Sequence, residues 1–149
     1  MSQEHEAAEQ NFAPGTEIVV EIETPRFSFV KRKSDGGIDF ISPIPSPFHY
    51  GFVPDTAAAD GDPQDAIVLT DGPLKRGDRV LVRIAGRVAF VDAGCRDDKL
   101  ICCTSERRVM NSDVHLMKAF FRSYAVLKRI LGYLRRIYGQ TVFKGIYIG

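Results

Sequence analysis

The chain has 149 residues, of which 44% are hydrophobic and 26% charged, and its formal net charge is +1. This size and composition are typical of one ordinary globular domain with a core of its own. No apolar stretch approaches the roughly 18 residues that a bilayer-spanning helix needs, which excludes an integral membrane protein of the helical class.

The N-terminus does not resemble a signal peptide, and the three cysteines do not indicate disulfide bonds. The first ten residues carry three glutamates and no lysine or arginine, unlike the basic and then apolar layout of a signal peptide. We expect residues 1–14 to form a mobile tail, residues 15–149 to form a single domain, and the protein to be cytoplasmic. Cys95, Cys102 and Cys103 are odd in number and two are adjacent, which indicates buried thiols rather than a disulfide framework or a zinc site.

Short strands with turn signals between them fill the first two thirds of the chain. Residues 34–37 read as a hairpin turn, and three alternate prolines in residues 42–47 require an extended segment outside any sheet. Strands this closely spaced favour a closed or sandwiched β structure. The predicted strands are residues 17–23, 26–33, 38–41, 48–53, 66–69, 79–85, 87–91, 99–103 and 141–148.

A long amphipathic helix is predicted after the strands. Ser112 or Asp113 would cap its start and Gly139 would end it. Apolar side chains recur every three or four positions and should form the buried face, with basic side chains opposite. The predicted apolar face consists of Leu116, Phe120, Tyr124, Leu127, Leu131 and Leu134.

An acidic turn lies between two apolar runs at Asp60-Gly61-Asp62-Pro63-Gln64-Asp65. Gly61 permits backbone angles closed to other residues, and Pro63 fixes its own φ, so the turn can aim several carboxylates at one point. Carboxylates held that close repel each other, and a hard cation such as Mg²⁺, Mn²⁺ or Ca²⁺ compensates them. The alternative is an ordinary solvent-exposed turn, since Asp, Gly and Pro are common turn residues.

A second acidic group lies at Asp92, Asp97 and Asp98, followed by Lys99. If the fold brings this loop beside the first turn, five or six carboxylates face one cavity, which requires several divalent ions. The alternative is a solvent-exposed hairpin loop. Charge is also uneven along the chain: residues 54–98 hold nine aspartates and six basic residues, whereas residues 104–149 hold nine basic residues and two acids. An acidic middle beside a basic end suits a metal and an anion held together, or it is solvated surface.

These segments together resemble the soluble family I inorganic pyrophosphatases. Tyr50-Gly51-Phe52-Val53, followed by Asp60 to Asp65 and the apolar run Ala66-Ile67-Val68-Leu69, resembles the family signature D-G-D-P-x-D with its upstream tyrosine. Asp92 and Asp97-Asp98-Lys99-Leu100 are similar to the family's second acidic loop. The resemblance runs from about residue 18 to residue 101 and extends more weakly into the helix.

The resemblance implies an α+β, mainly β fold: an OB-like five-stranded closed β-barrel with a long helix packed against it. It also implies hydrolysis of pyrophosphate to two phosphates with Mg²⁺ or Mn²⁺ as cofactor, and a homo-oligomer without membrane or nucleic-acid partners. Carried over by position, Asp62 would be the base, with Tyr50 and Lys99 contacting phosphate. The remaining implied roles are metal binding by Asp60, Asp65, Asp92 and Asp97, phosphate contact by Tyr124, a cation at Arg26, and Glu21 at the rim of the site. Lys31 is a further candidate for substrate binding, as a replacement cation.

The chain departs from the family pattern mainly among the phosphate-binding residues. Residues 42–47 contain no basic residue, and the helix reads Tyr124-Ala125 where the family has Tyr-Lys. Replacement cations would come from Lys31, Arg32 or Lys33, or from Arg122 or Lys128 on the helix. These departures keep three alternatives open: hydrolysis of another phosphoanhydride or phosphate ester, an inactive homologue, and an OB-like binding module.

Overall fold

The structure, a computed structural model, describes residues 12–28, 30–32, 38–41, 45–134 and 139–149. The first eleven residues of the predicted tail and the predicted turn at residues 34–37 lie outside that part of the chain. No helix among the described residues is long and apolar enough to cross a bilayer. The elements are β1 (Glu17–Thr24), β2 (Val30–Arg32), β3 (Ile38–Ile41), β4 (His49–Phe52), β5 (Asp65–Leu69), β6 (Arg79–Asp92), β7 (Cys95–Arg96), β8 (Lys99–Cys103), α1 (Asn111–Leu134) and β9 (Val142–Ile148).

Five strands form a closed ring in the order β1-β4-β5-β8-β6, with β6 pairing back to β1. All of its pairings are antiparallel except that between β5 and β8, which is parallel. One buried cluster draws on strands of the ring without the helix, which places it inside the ring: Val20, Ile22, Val53, Ala66, Val68, Val82, Ile84, Leu100 and Cys102. The fold therefore has the predicted mainly-β, five-stranded closed architecture.

The two strands predicted at residues 79–85 and 87–91 are one continuous strand, β6. Its register with β8 shifts between Ile84 and Gly86, so the predicted break is an irregularity within the ladder. A Cβ on Gly86 would lie 2.1 Å from the carbonyl oxygen of Tyr147 in β9. Glycine at this position therefore lets β9 approach β6 closely rather than ending the strand.

Helix α1 covers the outer face of the ring, where β4, β5, β6 and β8 supply its partners. Met117, Phe121, Tyr124 and Ala125 form its buried face. The predicted face was wrong at Leu116 and Leu134, which are 45% and 70% exposed. The 3.6-residue period located the helix correctly, but several apolar stripes fit that period, and packing against the ring selected the one centred on Phe121.

The start of α1 is capped from inside the helix. The Asp113 carboxylate accepts the Met110 N–H at 2.8 Å and a bidentate pair of hydrogen bonds from Arg107 at 2.7 and 2.9 Å. Burial raises the pKa of Asp113, but the hydrogen bonds from Arg107 and the Met110 amide outweigh it and hold the pKa below its usual value. Asp113, one of the two predicted caps, is the third residue of the helix and satisfies the backbone N–H of the residue before the helix.

Candidate active site

The two acidic segments meet at a buried lysine. The Lys99 side chain is 1% exposed, and its Nζ lies 2.8 Å from Asp65 Oδ2 and 2.6 Å from Asp97 Oδ2. Carboxylates from segments more than thirty positions apart are thereby brought to one ammonium group. An exposed hairpin loop, the alternative for the second acidic group, does not describe Asp97.

The parallel pairing of β5 with β8 explains this meeting. Ala66 is opposite Leu100 in the register, so Asp65 and Lys99 lie at corresponding strand beginnings. Each acidic segment leads directly into one of the two strands, and parallel neighbours begin at the same edge of a sheet. The convergence of Asp65 and Asp97 is therefore a consequence of topology.

Aromatic rings enclose the lysine from the side of α1. Lys99 Nζ lies 5.8 Å from the Phe90 ring centroid and 6.0 Å from that of Tyr50, and Phe90 packs on Tyr124 at 5.6 Å. Burial, reinforced by the Asp65 and Asp97 carboxylates, raises the pKa of Tyr50 well above its usual value. Tyr50 consequently stays protonated and presents a hydrogen-bond donor beside the two carboxylates.

Asp92 forms the outer part of the same region through contacts with α1 and the C-terminal segment. Its Oδ2 lies 3.2 Å from Lys128 Nζ, and its Oδ1 accepts the Thr141 hydroxyl at 3.3 Å. Lys128 Nζ in turn lies 5.8 Å from the Tyr124 ring centroid. A second cation, only 18% exposed, therefore lies beside the tyrosine that packs on Phe90.

Comparison with known proteins supports the same interpretation. Residues 19–138 match the inorganic pyrophosphatase family. The chain belongs to that family. This confirms the resemblance carried by the acidic turn and by the second acidic loop.

Individual pyrophosphatases give the extent of the similarity. An inorganic pyrophosphatase from Synechocystis sp. is 31% identical over 116 residues, which cover 70% of this chain and 69% of that protein. One from Gluconobacter oxydans is 38% identical over 98 residues, covering 61% of this chain and 57% of that protein. The crystal structure of the Neisseria gonorrhoeae inorganic pyrophosphatase superposes with a TM-score of 0.72 at 28% identity, covering 90% of this chain and 83% of that chain. The solved pyrophosphatases confirm the fold class.

The family's acidic turn lies directly before β5 and contains the predicted left-handed glycine, but its three carboxylates do not meet at one point. Gly61 has φ +85°, and Asp60 Oδ1 accepts the Asp62 N–H at 3.0 Å. Both Asp60 and Asp62 are exposed, whereas Asp65 at the end of the turn is partly buried. The turn therefore divides its carboxylates, with one directed to Lys99 and two open to solvent.

Two predicted substrate contacts, Glu21 and Arg26, pair with other residues, and the side chain of a third, Lys31, is not described. Glu21 Oε1 pairs with Arg79 Nε at 3.0 Å, and Arg26 stacks on Phe27 with its guanidinium 4.6 Å from the ring centroid. The backbone N–H of Arg26 donates a hydrogen bond to His49 Nδ1 at 3.0 Å. Lys31 lies in β2, and its side chain is outside the described part of the structure.

The described carboxylates that could bind a metal lie singly or in a pair beside a lysine, and not in groups of three. Asp65 and Asp97 share Lys99, Asp92 pairs with Lys128, and all of these donors are carboxylate oxygens, which suit Mg²⁺ or Mn²⁺. Among the described residues, no group of three His, Cys, Asp or Glu side chains could hold a metal ion. In this structure the Lys99 and Lys128 ammonium groups neutralise the carboxylates, a role that divalent ions could also fill.

Sequence reasoning missed two polar partners of this region, Thr141 and Gln64. Thr141 accepts the Ala93 N–H at 3.1 Å in addition to its bond to Asp92. Gln64 occupies the variable position of the family signature and bonds to the second acidic segment. These contacts join residues 34 to 49 positions apart, and a single sequence carries no local signal for them.

Proposed function

We propose that the protein is a divalent-metal-dependent hydrolase that cleaves inorganic pyrophosphate into two phosphates. The observation that carries the proposal is the convergence of Asp65, Asp97 and Lys99 in a chain of the inorganic pyrophosphatase family. The reaction adds water across the bridging oxygen: a new P–O bond forms to one phosphorus and the bridging P–O bond breaks. The chain spans 57% to 69% of the length of the two relatives described above.

Hydrogen-bond donors and carboxylates would have different roles in the reaction. Lys99, Lys128 and the protonated Tyr50 would hold phosphate oxygens, because each offers N–H or O–H donors in a poorly solvated region. Asp62 lies exposed on the turn, where it can accept a proton from the attacking water. Tyr124 would position Lys128 through their ring contact.

Asp60, Asp65, Asp92 and Asp97 would hold the divalent ions, each ion by one or two of these carboxylates, with water and substrate oxygens as its other ligands. When bound, such ions screen the phosphate charge and acidify a water molecule. The protein's own contribution is to present the carboxylates from rigid strand ends, so that little reorganisation is needed when the substrate binds.

A phosphate-release assay with Mg²⁺ tests the substrate. Pyrophosphate should be hydrolysed at least tenfold faster than tripolyphosphate or p-nitrophenyl phosphate, because Lys99 and Lys128 are each proposed to hold one of its two phosphates. Faster release from one of the other two would favour the alternative of another phosphoanhydride or ester. Background rates with all three, together with a melting temperature that Mg²⁺ does not raise, would favour a catalytically silent homologue.

Lys128 should act on substrate binding. Lys128→Met is expected to raise the KM for pyrophosphate about tenfold, since it removes one charged contact with phosphate, worth roughly 1.5–3 kcal/mol. Steady-state kinetics at saturating Mg²⁺ measures the effect. Lys144→Met is the matched control, because Lys144 is exposed on β9 and has no role in the proposed site. An unchanged KM for Lys128→Met would remove Lys128 from the substrate site.

The proposal also includes a homo-oligomer in the cytoplasm. Val126, Ile130 and Tyr133 are 51%, 53% and 75% exposed and recur with helical spacing on α1, which suits contact with a second copy of the chain. The cysteines are free, as expected for a reducing compartment, and burial raises the pKa of Cys102 to about 12. A molar mass in solution equal to that of one chain would contradict the proposed homo-oligomer.

A further inference from the structure

Gln64 connects the two acidic segments directly. Its side-chain nitrogen, Nε2, donates to the Asp98 carbonyl oxygen at 2.8 Å and to the Asp65 carbonyl oxygen at 3.1 Å. Both neighbours are acceptors only, so the NH₂ end of the amide must face them. One side chain thereby bonds to the peptide groups beside both carboxylates that meet at Lys99.

The backbone of Gln64 is itself held in place. Its N–H donates to Thr56 Oγ1 at 3.0 Å, and its carbonyl oxygen accepts the Val53 N–H at 2.9 Å. Thr56 Oγ1 also donates to the Val53 carbonyl oxygen at 2.6 Å. The glutamine therefore reaches the second acidic segment from a fixed base.

Asp98, whose carbonyl oxygen accepts the Gln64 hydrogen bond, is also held through its side chain. The Asp98 carboxylate accepts hydrogen bonds from Arg87 and Arg96 at 2.8 Å each and from the Phe90 N–H at 3.1 Å. The Asp97 N–H donates to the Phe90 carbonyl oxygen at 2.9 Å. Asp98 thus anchors the segment to β6, while Gln64 ties it to the beginning of β5.

We propose that Gln64 is a positioning residue that locks the two acidic segments together and sets the spacing of Asp65 and Asp97. The two carboxylates repel each other when Lys99 does not lie between them, and that repulsion favours separation of the segments. The glutamine amide opposes the separation through uncharged hydrogen bonds, which remain in place whichever cation compensates the carboxylates. The catalytic meaning of this role rests on the proposed function, but the connection itself does not.

The test compares Gln64→Met with Thr56→Val. Methionine keeps the length of the side chain and removes both Nε2 bonds. The Thr56→Val change removes two hydrogen bonds from the same loop but keeps both Nε2 bonds and the backbone bond from Val53 N–H to the Gln64 carbonyl oxygen, so Gln64 stays held. Titration calorimetry with Mg²⁺ should give about tenfold weaker binding for Gln64→Met, as for other residues that orient metal ligands, and a change under about twofold for Thr56→Val. A third variant, Gln64→Glu, should bind Mg²⁺ more weakly than Gln64→Met, because its carboxylate would face two carbonyl oxygens.

Two further readouts separate positioning from a loss of stability. The Mg²⁺ concentration for half-maximal activity should rise for Gln64→Met, while kcat at saturating Mg²⁺ changes less than about threefold. In the metal-free protein, the Asp97 amide should exchange hydrogen faster in Gln64→Met than in the wild type, and at the wild-type rate in Thr56→Val.

The inference is overturned if Gln64→Met binds Mg²⁺ as the wild type does and leaves Asp97 exchange unchanged, or if Thr56→Val reproduces both effects. A wild-type protein without pyrophosphatase activity would remove the proposed function instead. In that case the exchange rates of the metal-free variants still decide the role of Gln64.

Discussion

Asp97→Asn is expected to lower kcat for pyrophosphate at least about a hundredfold, or roughly 2.7 kcal/mol of transition-state stabilisation. Asparagine keeps the shape of the side chain but removes the negative charge that meets Asp65 at Lys99. A charge held in a partly buried site, 15% exposed, acts more strongly on a phosphoryl-transfer centre than one in water. Stopped-time phosphate release at saturating Mg²⁺ measures the loss.

The control for this variant is Asp71→Asn. Asp71 is 74% exposed and pairs with Arg107 at 3.3 Å, on a part of the surface that contributes nothing to the proposed chemistry. Its kcat should stay within about twofold of the wild type. Equal rates for the two variants would mean that the meeting of Asp65 and Asp97 is structural only.

Lys99→Met is expected to destabilise the metal-free protein by about 3–5 kcal/mol, because it leaves two partly buried carboxylates facing each other without a cation. For a chain of this length, the loss corresponds to a fall in Tm of roughly 10 °C or more. Added Mg²⁺ should raise the Tm of the variant more than that of the wild type, since a divalent ion then supplies the missing charge. Thermal unfolding with and without Mg²⁺ measures both effects.

Lys144→Met provides the comparison for this change. Lys144 is exposed on β9, so its loss should alter the free energy of unfolding by no more than about 0.5 kcal/mol. A Lys99→Met protein that is unfolded alone and folds when Mg²⁺ is added would be the extreme form of the expected result. A Tm within about 2 °C of the wild type, with an equal response to Mg²⁺, would show that Lys99 does not hold the two segments together.

Local sequence rules described most elements correctly. The strand β1, the apolar run of β5 and the switch to a helical period at α1 each follow from residues close together in the chain, so the sequence predicted them. The left-handed conformation of Gly61 and the carboxylates around it follow from the same kind of local chemistry. Errors arose where packing chose among equivalent patterns, as in the buried face of α1 and the continuous strand β6.

The sequence by itself determined which chemical groups the site contains: carboxylates that suit a hard divalent ion, two tyrosines, and lysines for an anion. Only the tertiary structure decided which of them meet. The parallel pairing of β5 with β8 brings Asp65 to Asp97 and Lys99, α1 brings Lys128 to Asp92, and Gln64 joins the two acidic segments. The physical reason is that these contacts depend on strand register and helix docking, which are fixed by burial of the whole core rather than by any short stretch of chain.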